Sequence, residues 1–327
     1  MKRREFIALL GSAAAAWPVK GFSQQISDSV RIGVLGPSLQ TPSTAANYKA
    51  FLAELGTLGF NNGQNVNVEY RQIDDPGGPF VVAAELVRSH PTLIVALGAE
   101  IGLQAVLKET KTTPIVIAAM NYDPVARGYV KSLARSGGNI TGVAFEQLEL
   151  AKKQVELLTQ AFPDRPKLGI IWDEISGDQF AAAESAAKSL NVEIYSLKLT
   201  NPPYDFAAAY QALVERGAQK LLILSSPYFA KARPQLAGLS IKYRLPAMFI
   251  FKSYVQAGGL MSYGAPQSVM YRRAADYAAK ILGGAKPADL PLERPATFEL
   301  VVNLKTAKTL GVAIPQSILL RADQVIE

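Results

Sequence analysis

The chain of 327 residues contains no cysteine. That absence excludes disulfides, thiolate metal sites, a cysteine nucleophile and a lipid anchor on an N-terminal cysteine. Histidine occurs once, as His90 before Pro91. Any histidine metal site or Ser-His-Asp arrangement would rest on that one residue. Its place between a helical pattern and a strand reads as a polar loop position. No apolar run approaches the roughly 20 residues that span a bilayer. The net charge is +7, but no long Lys/Arg run supplies the concentrated basic face that nucleic acid requires. No Gly-x-Gly-x-x-Gly turn follows a predicted strand and no Walker-type lysine loop occurs, so neither a dinucleotide nor a nucleoside triphosphate is expected as cofactor.

Part of the charge belongs to the first residues. Lys2, Arg3, Arg4 and Lys20 against Glu5 give +3 over residues 1–25 and leave +4 for the rest. The charged start precedes a short apolar stretch, Ala8 to Trp17, and then the small residues Gly21 and Ser23. This pattern reads as a signal peptide over residues 1–23, with cleavage before Gln24. The paired arginines followed by Phe6-Ile7 suit a twin-arginine signal, with a Sec signal as the alternative. A periplasmic location follows as the expectation.

Beyond the leader, short apolar runs alternate with amphipathic stretches. Val30–Leu35 reads as a buried strand ended by Gly36-Pro37. A helix follows, with Ser43 as its expected cap and Tyr48, Phe51, Leu52, Leu55 and Leu58 on one face. Residues 65–70 alternate polar and apolar, as an edge strand does. Helices near 80–89 and 101–109 then alternate with strands near 93–97 and 115–119. The alternation restarts after residue 143, with strands near 167–172, 192–199, 220–224 and 247–251 between helices near 148–161, 178–190, 206–216 and 230–243. Strands alternating with helices imply parallel sheets covered on both faces. The predicted fold class is therefore α/β, with two Rossmann-like lobes joined by a multi-crossing hinge. Lobe one is assigned residues 30–140 and 264–296, and lobe two residues 144–261 and 298–327. The crossings are expected near 137–143, 262–264 and 296–298, where glycines or loop residues cluster.

Several stretches carry a resemblance. Tyr263-Gly264 is followed by Tyr271-Arg272-Arg273-Ala274-Ala275, by residues 284–291 (GAKPADLP), and by residues 298–308 (FELVVNLKTAK). Earlier pieces include Asp123-Pro124-Val125 and residues 135–142 (RSGGNITG). Over essentially the whole chain after the leader, the sequence resembles the ABC transporter substrate-binding proteins of the tryptophan-type and uncharacterised group. The resemblance implies a type I periplasmic-binding fold, a small-molecule ligand such as an amino acid, no catalysis, and ABC permease and ATPase subunits as partners. It also implies a monomer that closes about a hinge. Departures occur at Asp173-Glu174 after Trp172 and at Ser225-Ser226-Pro227-Tyr228. A ligand-sensing module for a membrane receptor and a carboxylate-dependent two-lobed enzyme are the competing readings.

Ligands of open α/β sheets bind beyond the carboxyl ends of the strands. Six stretches qualify: Gly36-Pro37-Ser38, Gly98-Ala99-Glu100 and Asn121-Tyr122-Asp123 of lobe one, with Trp172-Asp173, Ser225-Ser226 and Lys252 of lobe two. Ser38 and the amides after Gly98 suit a carboxylate, although the latter stretch is equally an ordinary strand-to-helix turn. Asp123 either receives a ligand ammonium, as the resemblance favours, or caps a turn. Trp172, Tyr228, Phe229 and Tyr254 either stack on a ligand or pack in the core. Asp173-Glu174 reads as a solvated rim rather than an acid/base pair, since neither histidine nor cysteine accompanies it.

Overall fold

The computed structural model describes residues 30–327. The expected signal peptide and its cleavage point lie outside the described residues. The chain opens with β1 (Val30–Gly36), α1 (Pro42–Thr57), β2 (Val66–Gln72), α2 (Gly78–Arg88), β3 (Leu93–Gly98), α3 (Glu100–Glu109), β4 (Ile115–Ala119) and β5 (Ile140–Ala144). The next series is α4 (Gln147–Ala161), β6 (Lys167–Asp173), α5 (Gly177–Ser189), β7 (Glu193–Leu199), α6 (Phe206–Glu215) and β8 (Lys220–Ile223). It continues through α7 (Pro227–Lys231), α8 (Arg233–Lys242), β9 (Ala247–Phe249), α9 (Lys252–Gln256) and β10 (Met261–Gly264). The chain then returns as α10 (Gln267–Leu282) and β11 (Leu292–Glu293), and ends in β12 (Glu299–Asn303), α11 (Leu304–Leu310), α12 (Gln316–Leu319) and β13 (Gln324–Ile326).

Two sheets result. The first has the order β11-β5-β4-β3-β1-β2 and is wholly parallel. The second has the order β13-β12-β10-β9-β8-β6-β7, parallel except where β10 meets β12. Within each, five strands repeat one doubly wound order: β2-β1-β3-β4-β5 in lobe one and β7-β6-β8-β9-β10 in lobe two. The inner strands β3 and β4 are buried along their whole length, as strands covered on both faces must be. Helix α10 lies against α1 and over β3, β4 and β5, so a late segment completes lobe one.

Two expected crossings are corrected. Residues 140–144 form β5, fully inside the first sheet, so the Gly-rich segment near 137–143 does not leave lobe one. Gly142 is there because its backbone has a φ of 136° and a Cβ would collide with the Ile117 carbonyl oxygen. Residues 262–264 likewise belong to β10, and a Cβ at Gly264 would strike the Ile250 carbonyl oxygen. Close backbone approach, not turning, selects both glycines. The chain passes between the sheets just after these strands, at residues 145–146 and 265–266, and again at 294–298. Two local expectations also move. Thr41, not Ser43, caps α1 by accepting the Thr44 amide at 3.3 Å, with Pro42 as the first helical residue. The single helix expected over 230–243 divides into α7 and α8 at Ala232. Pro234 has no amide hydrogen to continue the ladder, and the break turns Arg233 inward.

Candidate functional site

The carboxyl ends of the two sheets face each other, and three cavities follow the seam. The central one has a volume of about 150 Å³. From lobe one it is lined by Pro37 and Ser38 after β1, Gly98 and Ala99 after β3, and Met120 and Asn121 after β4. From lobe two it is lined by Ser225, Ser226 and Pro227 after β8, by Arg233, and by Phe251 after β9. Tyr271 of α10 and Ile73 add apolar wall. The gap between β1 and β3, and its counterpart between β6 and β8, is the switch point at which doubly wound sheets bind ligands. A larger cavity of about 660 Å³ forms the mouth, and a third of about 130 Å³ lies on the hinge side. Asn121 borders all three.

The residues expected at the site separate into groups. Ser38, Gly98, Ala99, Asn121, Ser225 and Ser226 meet around the central cavity. Glu100 sits at the mouth, where its carboxylate accepts the Tyr129 hydroxyl at 2.8 Å and lies 3.8 Å from Arg127. Asp123 borders the hinge-side cavity. Its Oδ1 accepts the amides of Val125 at 2.8 Å and Ala126 at 3.2 Å, and its Oδ2 lies 3.7 Å from Arg294. Asp123 therefore caps a turn and does not face the central cavity.

Trp172, Asp173 and Lys252 border none of these three cavities. Trp172 stacks on Phe180 with ring centroids 4.4 Å apart, and Lys198 covers its ring. Phe229 and Tyr254 are likewise core residues, whereas Tyr228 is exposed at the mouth. Lys252 begins α9 beside Glu299, whose carboxyl is raised by burial and lowered in part by that lysine. The pair Asp173-Glu174 is not a solvated rim. Glu174 is exposed and pairs with Lys198, but Asp173 is 0% exposed. The Asp173 carboxylate accepts the Ser176 amide at 3.1 Å and the hydroxyls of Ser176, Ser226 and Tyr204. Ser226 in turn caps α7 by accepting the Tyr228 amide at 3.3 Å. Asp173 thus anchors one wall of the cleft from beneath.

Arg233 is the residue that sequence reasoning missed. It projects from lobe two to the central cavity, and its Nη2 donates to Thr41 Oγ1 of lobe one at 3.3 Å. Burial holds its pKa below the ordinary guanidinium range. It has no carboxylate partner among the described residues. Nearby Lys231 of α7 is neutralised across the cleft by Asp74 at 2.7 Å. Opposite Arg233, the N-terminus of α3 has no side-chain cap at Ala99, so its first amides stay available. A basic residue just before a proline, downstream of Ser225-Ser226, was the available sequence signal.

Two doubly wound lobes that offer one guanidinium and one free helix N-terminus to a mostly apolar central cavity define a ligand-binding protein of the type I periplasmic-binding fold. The family model of the ABC transporter substrate binding proteins matches residues 31–326, and the chain belongs to that family. It is 25% identical over 276 residues to a tyrosine-binding protein of Clostridioides difficile, across 83% of this chain and 78% of that protein. Its fold matches an ABC domain in complex with L-Trp from Streptococcus pneumonia, with a TM-score of 0.82 and 25% identity over 91% of this chain and all of that one. A conserved domain protein from Vibrio cholerae matches with the same score and identity, over 91% of this chain and 99% of its own. No helix among the described residues is long and apolar enough to cross a membrane.

Proposed function

We propose that the protein captures an aromatic amino acid outside the cytoplasm and delivers it to an ABC importer. The observation that carries this reading is Arg233, a guanidinium without a carboxylate partner among the described residues, which borders an apolar cavity between the lobes. A ligand carboxylate placed between Arg233 and the uncapped start of α3 satisfies groups from both lobes at once, so binding favours closure. A cavity of this volume accommodates a benzene-sized group. Ile73, Leu97, Met120 and Phe251 supply an apolar surround for such a ring. The L-Trp and tyrosine ligands named for the two relatives support the same class. The charged leader supports export, and family membership supports permease and ATPase partners. A binding role without catalysis agrees with the carboxylates at the cleft, which are engaged by turns or by cations.

Calorimetry with L-tyrosine and L-tryptophan tests the reading. Micromolar or tighter binding is expected, worth about 8 kcal/mol or more. No heat from either amino acid at millimolar concentration overturns it. In the native host, deletion should reduce uptake of the bound amino acid; normal uptake with intact binding would assign the protein to sensing instead.

A further inference from the structure

Two buried acceptors stand out on the hinge side of the cleft. Asn121 Oδ1 and Gln147 Oε1 accept no hydrogen bond among the described residues, and each residue is only 7% exposed. Both residues border the hinge-side cavity. They are held close together, because the Gln147 side-chain nitrogen donates to the carbonyl of Met120, the residue joined to Asn121. Buried polar atoms without partners are costly, and each calls for a donor.

The surroundings select the kind of donor. Asp123, Glu146, Glu149 and Asp178 border the same cavity, against the single cation Arg294. Arg294 pairs with both Asp123 and Glu146, Glu149 pairs with Lys152 at 2.7 Å, Asp178 lies 3.7 Å from Arg127, and Asp123 Oδ1 is taken up by its turn. Four carboxylates against the three cations Arg294, Lys152 and Arg127 leave a net negative charge around the cavity, while the two buried amide oxygens remain without a donor among the described residues. Gln147 opens α4, whose positive end opposes a cation, but Glu146 and Glu149 lie in that same turn and offset it. A group that donates several hydrogen bonds and carries positive charge meets these conditions, as a primary ammonium does.

We propose that Asn121 and Gln147 form an amine site that holds the ligand's ammonium and ties it to the hinge. This rests on the amino-acid reading of the ligand. Asn121 follows β4 of lobe one, whereas Gln147 begins α4, which packs on β8, β9 and β10 of lobe two. An ammonium shared by both joins the lobes directly beside the first crossing. Asn121 lines both the central cavity, which Arg233 also borders, and the hinge-side cavity, which Gln147 also borders, so it stands between the carboxylate end and the amine end.

Ligand editing tests this on the purified, unaltered protein. L-tyrosine is compared by calorimetry with 3-(4-hydroxyphenyl)propanoate, which lacks the ammonium, and with tyramine, which lacks the carboxylate. Removing the ammonium is expected to weaken binding by roughly tenfold or more. In Gln147→Met the ratio of the first two affinities should fall toward one, while tyramine stays weak. Asn121→Asp keeps Oδ1 and adds charge, so it should widen the ratio. Equal binding of L-tyrosine and the propanoate to the unaltered protein overturns the amine site and leaves the carboxylate reading standing. A ratio unchanged in both variants also overturns it. Failure of L-tyrosine and L-tryptophan alike removes the amino-acid reading and the amine site with it.

Discussion

At the scale of single residues, charge without a partner is the most informative property. Arg233→Ala removes the cation that would meet a ligand carboxylate in a desolvated cleft. Losing one member of such a pair typically costs about 2–5 kcal/mol, or 30-fold and more in affinity. Arg233→Lys keeps the charge but not the planar fork, so calorimetry should place it between the parent and the alanine variant. Lys220 presents a second case, away from the cleft. Burial lowers its pKa to about 8, partly countered by Asp164, and the side chain is 1% exposed. Its folded-state pKa lies below the unfolded value, so its contribution is least favourable where both states are protonated. That contribution to stability rises from about pH 8 to 10, where only the unfolded chain still binds the proton. Above that range the trend reverses, because burial holds Tyr210 and Tyr271 protonated in the folded state while unfolded tyrosines ionise. Lys220→Met should therefore add about 2 kcal/mol at pH 7 and much less at pH 10, as read from urea unfolding at each pH. Of the residues that border the central cavity, Ser38, Gly98, Ala99, Ser225 and Ser226 were legible because strand ends can be counted. Arg233 was not, since its direction depends on a helix break that periodicity does not reveal.

Helices and strands show where sequence patterns suffice and where packing decides. The alternation of apolar runs and amphipathic stretches identifies most of the parallel core, because buried strands and covering helices differ in period. Gly142 and Gly264 read as parts of hinge crossings in the sequence yet sit inside strands, since their selection comes from a neighbouring carbonyl that only the fold brings near. Likewise β13 has just three residues and forms by pairing with β12, with little signal of its own. Helix α7 is short and depends on Asp173 beneath its cap. Asp173→Ala leaves the hydroxyls of Ser226 and Tyr204 without their acceptor. A loss of about 2–3 kcal/mol in urea unfolding is expected, together with weaker ligand binding as the wall bearing Lys231 and Arg233 loosens. Unchanged affinity in a stable Asp173→Ala protein would detach α7 from the cleft's geometry.

For the whole molecule, the contacts that bridge the lobes matter most. Lys231 meets Asp74 at 2.7 Å, Arg127 meets Asp178 at 3.7 Å, and Arg233 reaches Thr41. The ion pairs lie at the mouth of the cleft and are largely exposed, so each contributes no more than about 1 kcal/mol and weakens with salt. Solution scattering should show a smaller radius of gyration with saturating L-tyrosine than without it. Asp74→Asn is expected to lower affinity by less than about tenfold, with the difference vanishing near 1 M salt. The order of segments along the chain has a further consequence. Lobe one receives α10 and β11 only after lobe two has been passed through, and lobe two receives β12 and β13 only after lobe one is complete. Each half of the molecule is thus closed by a piece belonging, in sequence, to the far side of the other. During synthesis neither half has its full cover until nearly the last residues appear. Denaturation should then proceed as one cooperative event in which the halves are lost together, and a fragment ending near residue 264 should lack a stable first half despite containing its five leading strands.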